Sequence, residues 1–363
     1  MSRDESLKLL GLIALAVVVV IKNPGLAAGI MLFGVVVALH EAGHMLFAKR
    51  AGMKVDTFSI GLGPAIWKFT HGETEYRIAP IPFGGFVHIV GLDPEEEGVE
   101  DNPRAFDNRP LWARALAIFG GPFANYITAM LLIILIMTVW GGRWAVGVVS
   151  VRDGGPAATA GIVSGDRIVA IDGEVVRNVA DLGRIAGAAG SYSVSVQRPQ
   201  DGGKPQRLQI KLEKPQGLFG VGVSQALVEG EDPSIGEILT TSVRLPFESS
   251  LGIGAALVQA IQSPKSGGLG GPVAILKSAK DEAEGGVLRF LLFAVTLSVA
   301  LGFFNLLPIP ALDGGRLVFL GLEAISPKLL PSPAMQMRIH SYGFAGLLGL
   351  IALLTVFDVR RLL

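Results

Sequence analysis

Apolar and polar stretches alternate along this chain on two length scales. Three apolar runs, 26–48, 113–140 and 288–307, are long enough to cross a membrane, because about 20 helical residues at ~1.5 Å each cover ~30 Å of hydrocarbon. A shorter fourth run, about Gly343 to Phe357, reads as the last span. An additional apolar run, Leu7 to Ile21, precedes them and is broken by Lys22-Asn23-Pro24-Gly25. It predicts an extra span or an interfacial helix. A cleaved signal peptide is the competing reading, weakened because Ser2-Arg3-Asp4 is not a clearly positive start.

Between the spans the pattern shortens to that of strands. Glu75 to Val90, EYRIAPIPFGGFVHIV, contains short β-type runs, two prolines and a Gly-Gly turn. DPEEEGVEDNP, at 93–103, is a solvated acidic loop. From Arg143 to about Val228 short strands, glycine turns and many charges predict an α+β soluble domain. Within it Ala157–Ala160 reads as a short helix, Gly161 as a tight turn, GDRIVAIDG as a strand between turns and PQDGGKPQ as a hairpin tip. The stretch 235–262 is amphipathic and reads as a membrane-surface or gating helix. The chain thus divides into 1–25 (N-terminal apolar segment), 26–142 (first half of a membrane core), 143–228 (soluble insert), 229–286 (amphipathic linker) and 287–363 (second half of the core).

Composition agrees with a polytopic α-helical membrane protein of four core spans. Half of the 363 residues are hydrophobic and only 17% are charged. A net charge of zero gives no reason to expect nucleic acid. Cysteine is absent, so thiolate chemistry, disulfides and cysteine-ligated metals are excluded. Lys49, Arg50, Lys54, Lys68, Arg77, Arg104, Arg109 and Arg114 cluster between the first two spans, and Arg316, Lys328 and Arg338 between the last two. Both segments are therefore expected in the cytoplasm, and 143–287 on the far side.

The candidate chemistry sits where the first span ends. His40, Glu41 and His44 interrupt an apolar run, where uncompensated ionisable groups cost several kcal/mol. On a helix His40 and His44 lie one turn apart on one face and can grip a zinc ion, with Glu41 beside them as general base. The bland alternative is a polar helix end that reaches the interface. A catalytic zinc wants a third protein ligand. Asp313 is the best candidate, being the sole acid between Leu288 and Leu322, after an apolar run and before Gly314-Gly315. His71, His88 and His340 are read as surface or loop histidines rather than ligands. Asn125, among small residues in the second span, can hydrogen-bond inside the helix bundle.

HEAGH at 40–44, GGPFAN at 120–125 and NLLPIPALDGG at 305–315 resemble, in order, the three signatures of the site-2 protease family of intramembrane zinc metalloproteases, H-E-x-x-H, G-P-x-x-N and N-x-x-P-x-P-x-L-D-G. FSIGLGP, GETEY, PFGGFVHI and GGPVAI look like its bacterial regulator-of-sigma-E branch. The resemblance implies that His40, His44 and Asp313 bind zinc and that Glu41 is the base and proton shuttle. It implies that Asn305 steadies the substrate backbone or the oxyanion. It implies that Glu75–Val90 forms a membrane-associated β-hairpin whose edge, Phe86-Val87-His88-Ile89, pairs with an unwound substrate strand, and places Asn125 among the substrate-binding residues. Substrates would be single-span membrane proteins, such as anti-sigma factors or remnant signal peptides, already shortened outside a bacterial inner membrane. PAATAGIVSGDRIVAIDG resembles a PDZ domain, which takes extended peptides or C-termini beside a strand, with RWAVGVV and LFGVGV both eligible as its carboxylate loop. The chain has room for one such domain where this branch often has two.

Two other classes of function are weaker. A non-enzymatic scaffold would not need the ligand set, and a metal transporter would spread polar residues over several spans instead of converging them.

Overall fold

The computed structural model describes residues 11, 18 and 20–362, apart from 94–95, 97, 100, 178, 187–188, 201–204, 215–219, 229–231 and 263–269. Most of the 7–21 run, the 201–204 tip and the start of LFGVGV lie outside the described residues. Among the described residues four helices are long and apolar enough to cross a membrane. They are α1 (Pro24–Arg50), α2 (Leu111–Trp140), α7 (Val287–Leu306) and α9 (Pro333–Leu362). The last starts well before the expected Gly343, because hydropathy marks where a helix becomes apolar and not where its hydrogen bonds begin.

The chain forms two compact units. The first comprises residues 1–128, 267–290 and 297–363. In it α1 starts with Asn23, whose side chain accepts from the Leu26 amide at 3.2 Å, followed by Pro24 at the first helical position. Its other end carries Lys49 and Arg50 against the helix dipole, and Arg109 donates to the Ala51 carbonyl at 2.7 Å. Strands β1 (Val55–Leu62), β2 (Trp67–His71), β3 (Thr74–Ile78) and β4 (Ile81–Ile89) follow.

These strands correct the expected hairpin over Glu75–Val90. The sheet order is β2-β3-β1-β4, so β3 and β4 are separated by β1, parallel to one and antiparallel to the other. The hairpin is β2–β3. Gly61 explains the crossover. The chain from β3 to β4 passes over the end of β1 with Ala79 donating to Ile60 at 2.8 Å, and a Cβ at Gly61 would lie 2.4 Å from the Ala79 carbonyl oxygen. Gly61 also has φ +87°, a conformation glycine adopts freely. A core of Ala48, Met53, Val55, Ile89, Ala113, Ala117, Ile118 and Leu320 ties the end of α1 to this sheet, the start of α2 and α8 (Asp313–Ile325). The helix α6 (Pro272–Glu284) packs on the other end of α1, where a Cβ on Gly29 would come within 2.7 Å of the Ala279 Cβ.

The second unit comprises 129–266 and 291–296. Its sheet has the order β10-β5-β6-β8-β9, from β5 (Arg143–Val151), β6 (Arg167–Ile171), β8 (Gly190–Arg198), β9 (Gln206–Lys214) and β10 (Val221–Val228), with β7 (Glu174–Val175) on β6. Helices α3 (Pro156–Ala160) and α4 (Val179–Ile185) complete it, and α5 (Ile235–Gln262) follows. Its core gathers Val146, Val148, Ile162, Ile168, Ile171, Val194, Val196 and Leu212. The first aspartate of GDRIVAIDG, Asp166, is fully buried and receives both Nε and Nη2 of Arg198 at 2.7 Å, which compensates its charge. The strand in RWAVGVV is interior to the sheet, whereas β10 is an edge.

Candidate metal centre

His40 and His44 are buried on α1, and their Nε2 atoms lie 3.2 Å apart. Asp313 is the first residue of α8, and its Oδ2 stands 3.2 Å from Nε2 of His40 and 3.3 Å from Nε2 of His44. Three donors thus mark a nearly equilateral triangle. Tetrahedral zinc with ligand bonds of about 2.0–2.1 Å separates its ligand atoms by about 3.3 Å. Asp313 Oδ2 is buried and makes no hydrogen bond of its own, an arrangement costly for a carboxylate unless a cation meets it. The residues therefore fit a zinc ion. Among the described residues this is the one group of three or more potential ligands that converges in this way.

Neighbouring elements aim His44 and Asp313. His44 Nδ1 donates to the Ala117 carbonyl at 2.9 Å, which fixes the tautomer and leaves Nε2 to face the triangle. Gly121 makes room for that ring, since a Cβ there would sit 2.2 Å from His44 Nε2. A Cβ on Gly43 would sit 2.2 Å from the Gly120 carbonyl oxygen. These glycines let α1 and α2 touch backbone to backbone. Pro122 interrupts α2 next to them, so the Ile118 carbonyl loses its helical partner at the turn that serves His44.

On the Asp313 side, a Cβ on Gly314 would lie 2.1 Å from the Leu307 carbonyl oxygen, and one on Gly315 2.5 Å from that of Ile309. Neither glycine has a positive φ. Their role is therefore close approach, not conformational freedom. The loop before α8 folds back on its first turn and delivers Asp313 to the histidines. Arg316, one turn further, donates to the Leu92 carbonyl at 3.4 Å. Burial draws its guanidinium below the usual range, with Asp313 and Asp93 partly offsetting that.

The remaining site residues fall into three places. Glu41 lies against β4, where a Cβ at Gly85 would meet its Cγ at 3.5 Å and the Val87 amide faces its carboxylate. Phe86, Val87, His88 and Ile89 all lie on β4, which ends the sheet on that side. His88 is half exposed, with Nε2 3.6 Å from Glu96. Asn125 is fully buried between α2 and α7, donating to the Ser298 carbonyl at 3.3 Å while Ser298 donates to the Asn125 carbonyl at 3.0 Å. Asn305 turns back on its own helix, donating to the Leu301 carbonyl at 3.0 Å. His71 is exposed at the end of β2 and is not among the converging ligands.

The small residues near Asn125 were legible as a helix contact, but Gly121 as a cavity for His44 was not. A Gly-Gly pair beside a proline within an apolar helix was the available signal.

The model of peptidase family M50 matches residues 28–350. A protein of Clostridium perfringens, named a candidate zinc metalloprotease, is 32% identical over 91% of this chain and 97% of its own length. A counterpart in Agrobacterium fabrum with the same kind of name is 30% identical over 92% of this chain and 95% of its own. The regulator of sigma-W protease RasP of Bacillus subtilis is 29% identical over 92% and 98%.

Proposed function

This chain belongs to peptidase family M50, the site-2 proteases, and on that premise we propose that it is a zinc-dependent intramembrane endopeptidase acting in regulated intramembrane proteolysis. The observation that carries the proposal is the His40–His44–Asp313 triangle, with edges of 3.2 to 3.3 Å, next to Glu41. Zinc held there would supply a Lewis acid for the scissile carbonyl.

The chain's own groups do the rest. Glu41 takes a proton from the attacking water and returns it to the departing amine. The Ala117 carbonyl holds the His44 ring in register. Asn305 steadies the substrate backbone or oxyanion once it releases the Leu301 carbonyl. A transmembrane helix hides its amides in its own hydrogen bonds and must be opened before attack. The outer edge of β4, Phe86 to Ile89, offers replacement bonds beside Glu41. Asn125 supports this from the bundle, its carboxamide tying α2 to α7.

With the lysine and arginine clusters read as cytoplasmic, the triangle lies near the cytoplasmic face of a bacterial inner membrane and 143–287 outside it. The 143–228 unit serves as a PDZ-type module that takes peptide C-termini along β10, an edge strand. Substrates are single-span membrane proteins shortened by an earlier cut, such as anti-sigma factors or remnant signal peptides. The naming of RasP as a sigma-W regulator is in keeping with this.

Replacing Glu41 by Gln tests the reading. Purified full-length Glu41→Gln should retain one zinc per chain and cleave a model transmembrane substrate at least about 100-fold more slowly than wild type. An unchanged cleavage rate would sink it.

A further inference from the structure

We propose that His340 is a positioning residue that aims Asp313 into the metal triangle; this rests on the reading of Asp313 as a zinc ligand. The loop Leu307–Leu312 delivers Asp313, and it contains a backbone oddity. Ala311 has φ +78°, one of two non-glycine residues among those described with positive φ. An L-residue with a Cβ enters that region only when its surroundings hold it there. The loop's own carbonyls satisfy its neighbours, with Ile309 donating to Leu307 at 2.7 Å and Leu312 to Ile309 at 3.1 Å. Pro308 and Pro310 have no amide hydrogen. The Ala311 amide instead donates to Nδ1 of His340 at 3.1 Å.

His340 is well placed to make that bond rigid. It lies on α9, half buried, with its ring edge-on to Phe319 of α8 at 5.5 Å and 79°. One turn on, a Cβ at Gly343 would lie 2.5 Å from the Pro310 Cβ and 2.6 Å from the Pro310 carbonyl oxygen, so α9 presses directly on the loop. One imidazole therefore contacts both the strained residue two positions before Asp313 and the helix that Asp313 begins. With Nδ1 as acceptor, the ring is neutral and carries its proton on Nε2. If the bond is lost, Ala311 can relax to negative φ, and the turn that points the Asp313 carboxylate at His40 and His44 opens.

The test measures zinc affinity, by competition with a chromogenic chelator, on the full chain in detergent or nanodiscs, alongside cleavage of a model transmembrane substrate. His340→Phe keeps the contact with Phe319 but has no acceptor, and should bind zinc about 10- to 100-fold more weakly, the usual effect of removing an outer-shell partner. His340→Asn sets its Oδ1 where Nδ1 was, and should stay within about threefold of wild type, whereas His340→Gln should not. Adding Ala311→Gly to His340→Phe should recover part of the loss, because glycine accepts φ +78° without help. A purely structural role would lower thermal stability equally in Phe and Gln variants without moving zinc affinity. Wild-type zinc affinity in both His340→Phe and His340→Gln overturns the proposal. If His340→Phe does not fold, the Asn–Gln contrast decides by itself, equal affinities counting against. Wild-type affinity in Asp313→Ala would overturn the ligand reading beneath it, a result distinguishable from failure of the His340 role alone.

Discussion

Oδ2 of Asp313 stands 3.2 Å from Nε2 of His40, although the two residues come from opposite ends of the chain. The contact closes a circuit. α1 presents the histidines, α2 orients one of them through Ala117, and the loop before α8 brings the carboxylate. His44 and Asp313 are each held by neighbours that have no chemical role themselves, and those neighbours can be tested separately.

Gly121 should be intolerant of even one methyl group. A Cβ there would meet His44 Nε2 at 2.2 Å, so Gly121→Ala must displace the ring or the helix. We expect zinc affinity to fall about 10- to 100-fold and stability by about 1–3 kcal/mol. Gly346→Ala, with nothing within 4 Å of its Cβ, should leave zinc titration and thermal unfolding unchanged.

Glu41 should be separable from the metal. Gly85 of β4 lies against it, and a Cβ at Gly85 would come 2.7 Å from the Ser59 carbonyl oxygen. Gly85→Val should shift the edge of β4, lowering kcat by about 10-fold or more while zinc stoichiometry stays at one. Loss of zinc in that variant would mean that β4 supports the ligands and not the base.

Arg114 and Glu323 form a two-pronged ion pair between the start of α2 and the end of α8, with one arm at 3.0 Å. The arginine side chain is 11% exposed, so removing Glu323 leaves a largely buried charge with Asp107, 3.9 Å away, as its remaining ionic partner. Glu323→Gln should cost about 2–3 kcal/mol in denaturant unfolding. Arg114→Gln combined with it should cost less than the sum of the single changes, which a double-mutant cycle reads directly.

Chelation should remove activity reversibly. Treatment of the membrane-reconstituted protein with a zinc chelator should abolish cleavage, with recovery on adding zinc. Free zinc at about 1,000 times its Kd should raise stability against unfolding by about 4 kcal/mol. Asp313→Asn should lose most of this thermal shift. A shift that Asp313→Asn retains in full would place the ion elsewhere.

The parts legible in sequence were those set by local composition. Apolar runs marked α1, α2 and α7 closely, and the spacing of His40, Glu41 and His44 put two imidazoles on one helical face. Asp313 could be picked from a short list because a lone acid in an apolar segment is costly. The parts decided by tertiary structure depend on distances of closest approach, which hydropathy does not encode. The hairpin expected over Glu75–Val90 became a crossover because Gly61 lets the chain pass over β1. The Gly314-Gly315 pair proved to allow contact with the loop carbonyls and not a change of φ.

By itself, then, the sequence determined which segments are apolar enough for a membrane and which side chains carry metal-binding chemistry, because both follow from residue type and short-range periodicity. Tertiary structure alone decided which donors meet, which strand lies beside Glu41, and that His340 reaches the Ala311 amide. Those depend on backbones coming within contact at Gly43, Gly61, Gly121 and Gly343, where the absence of a single methyl group sets how near two distant segments can come.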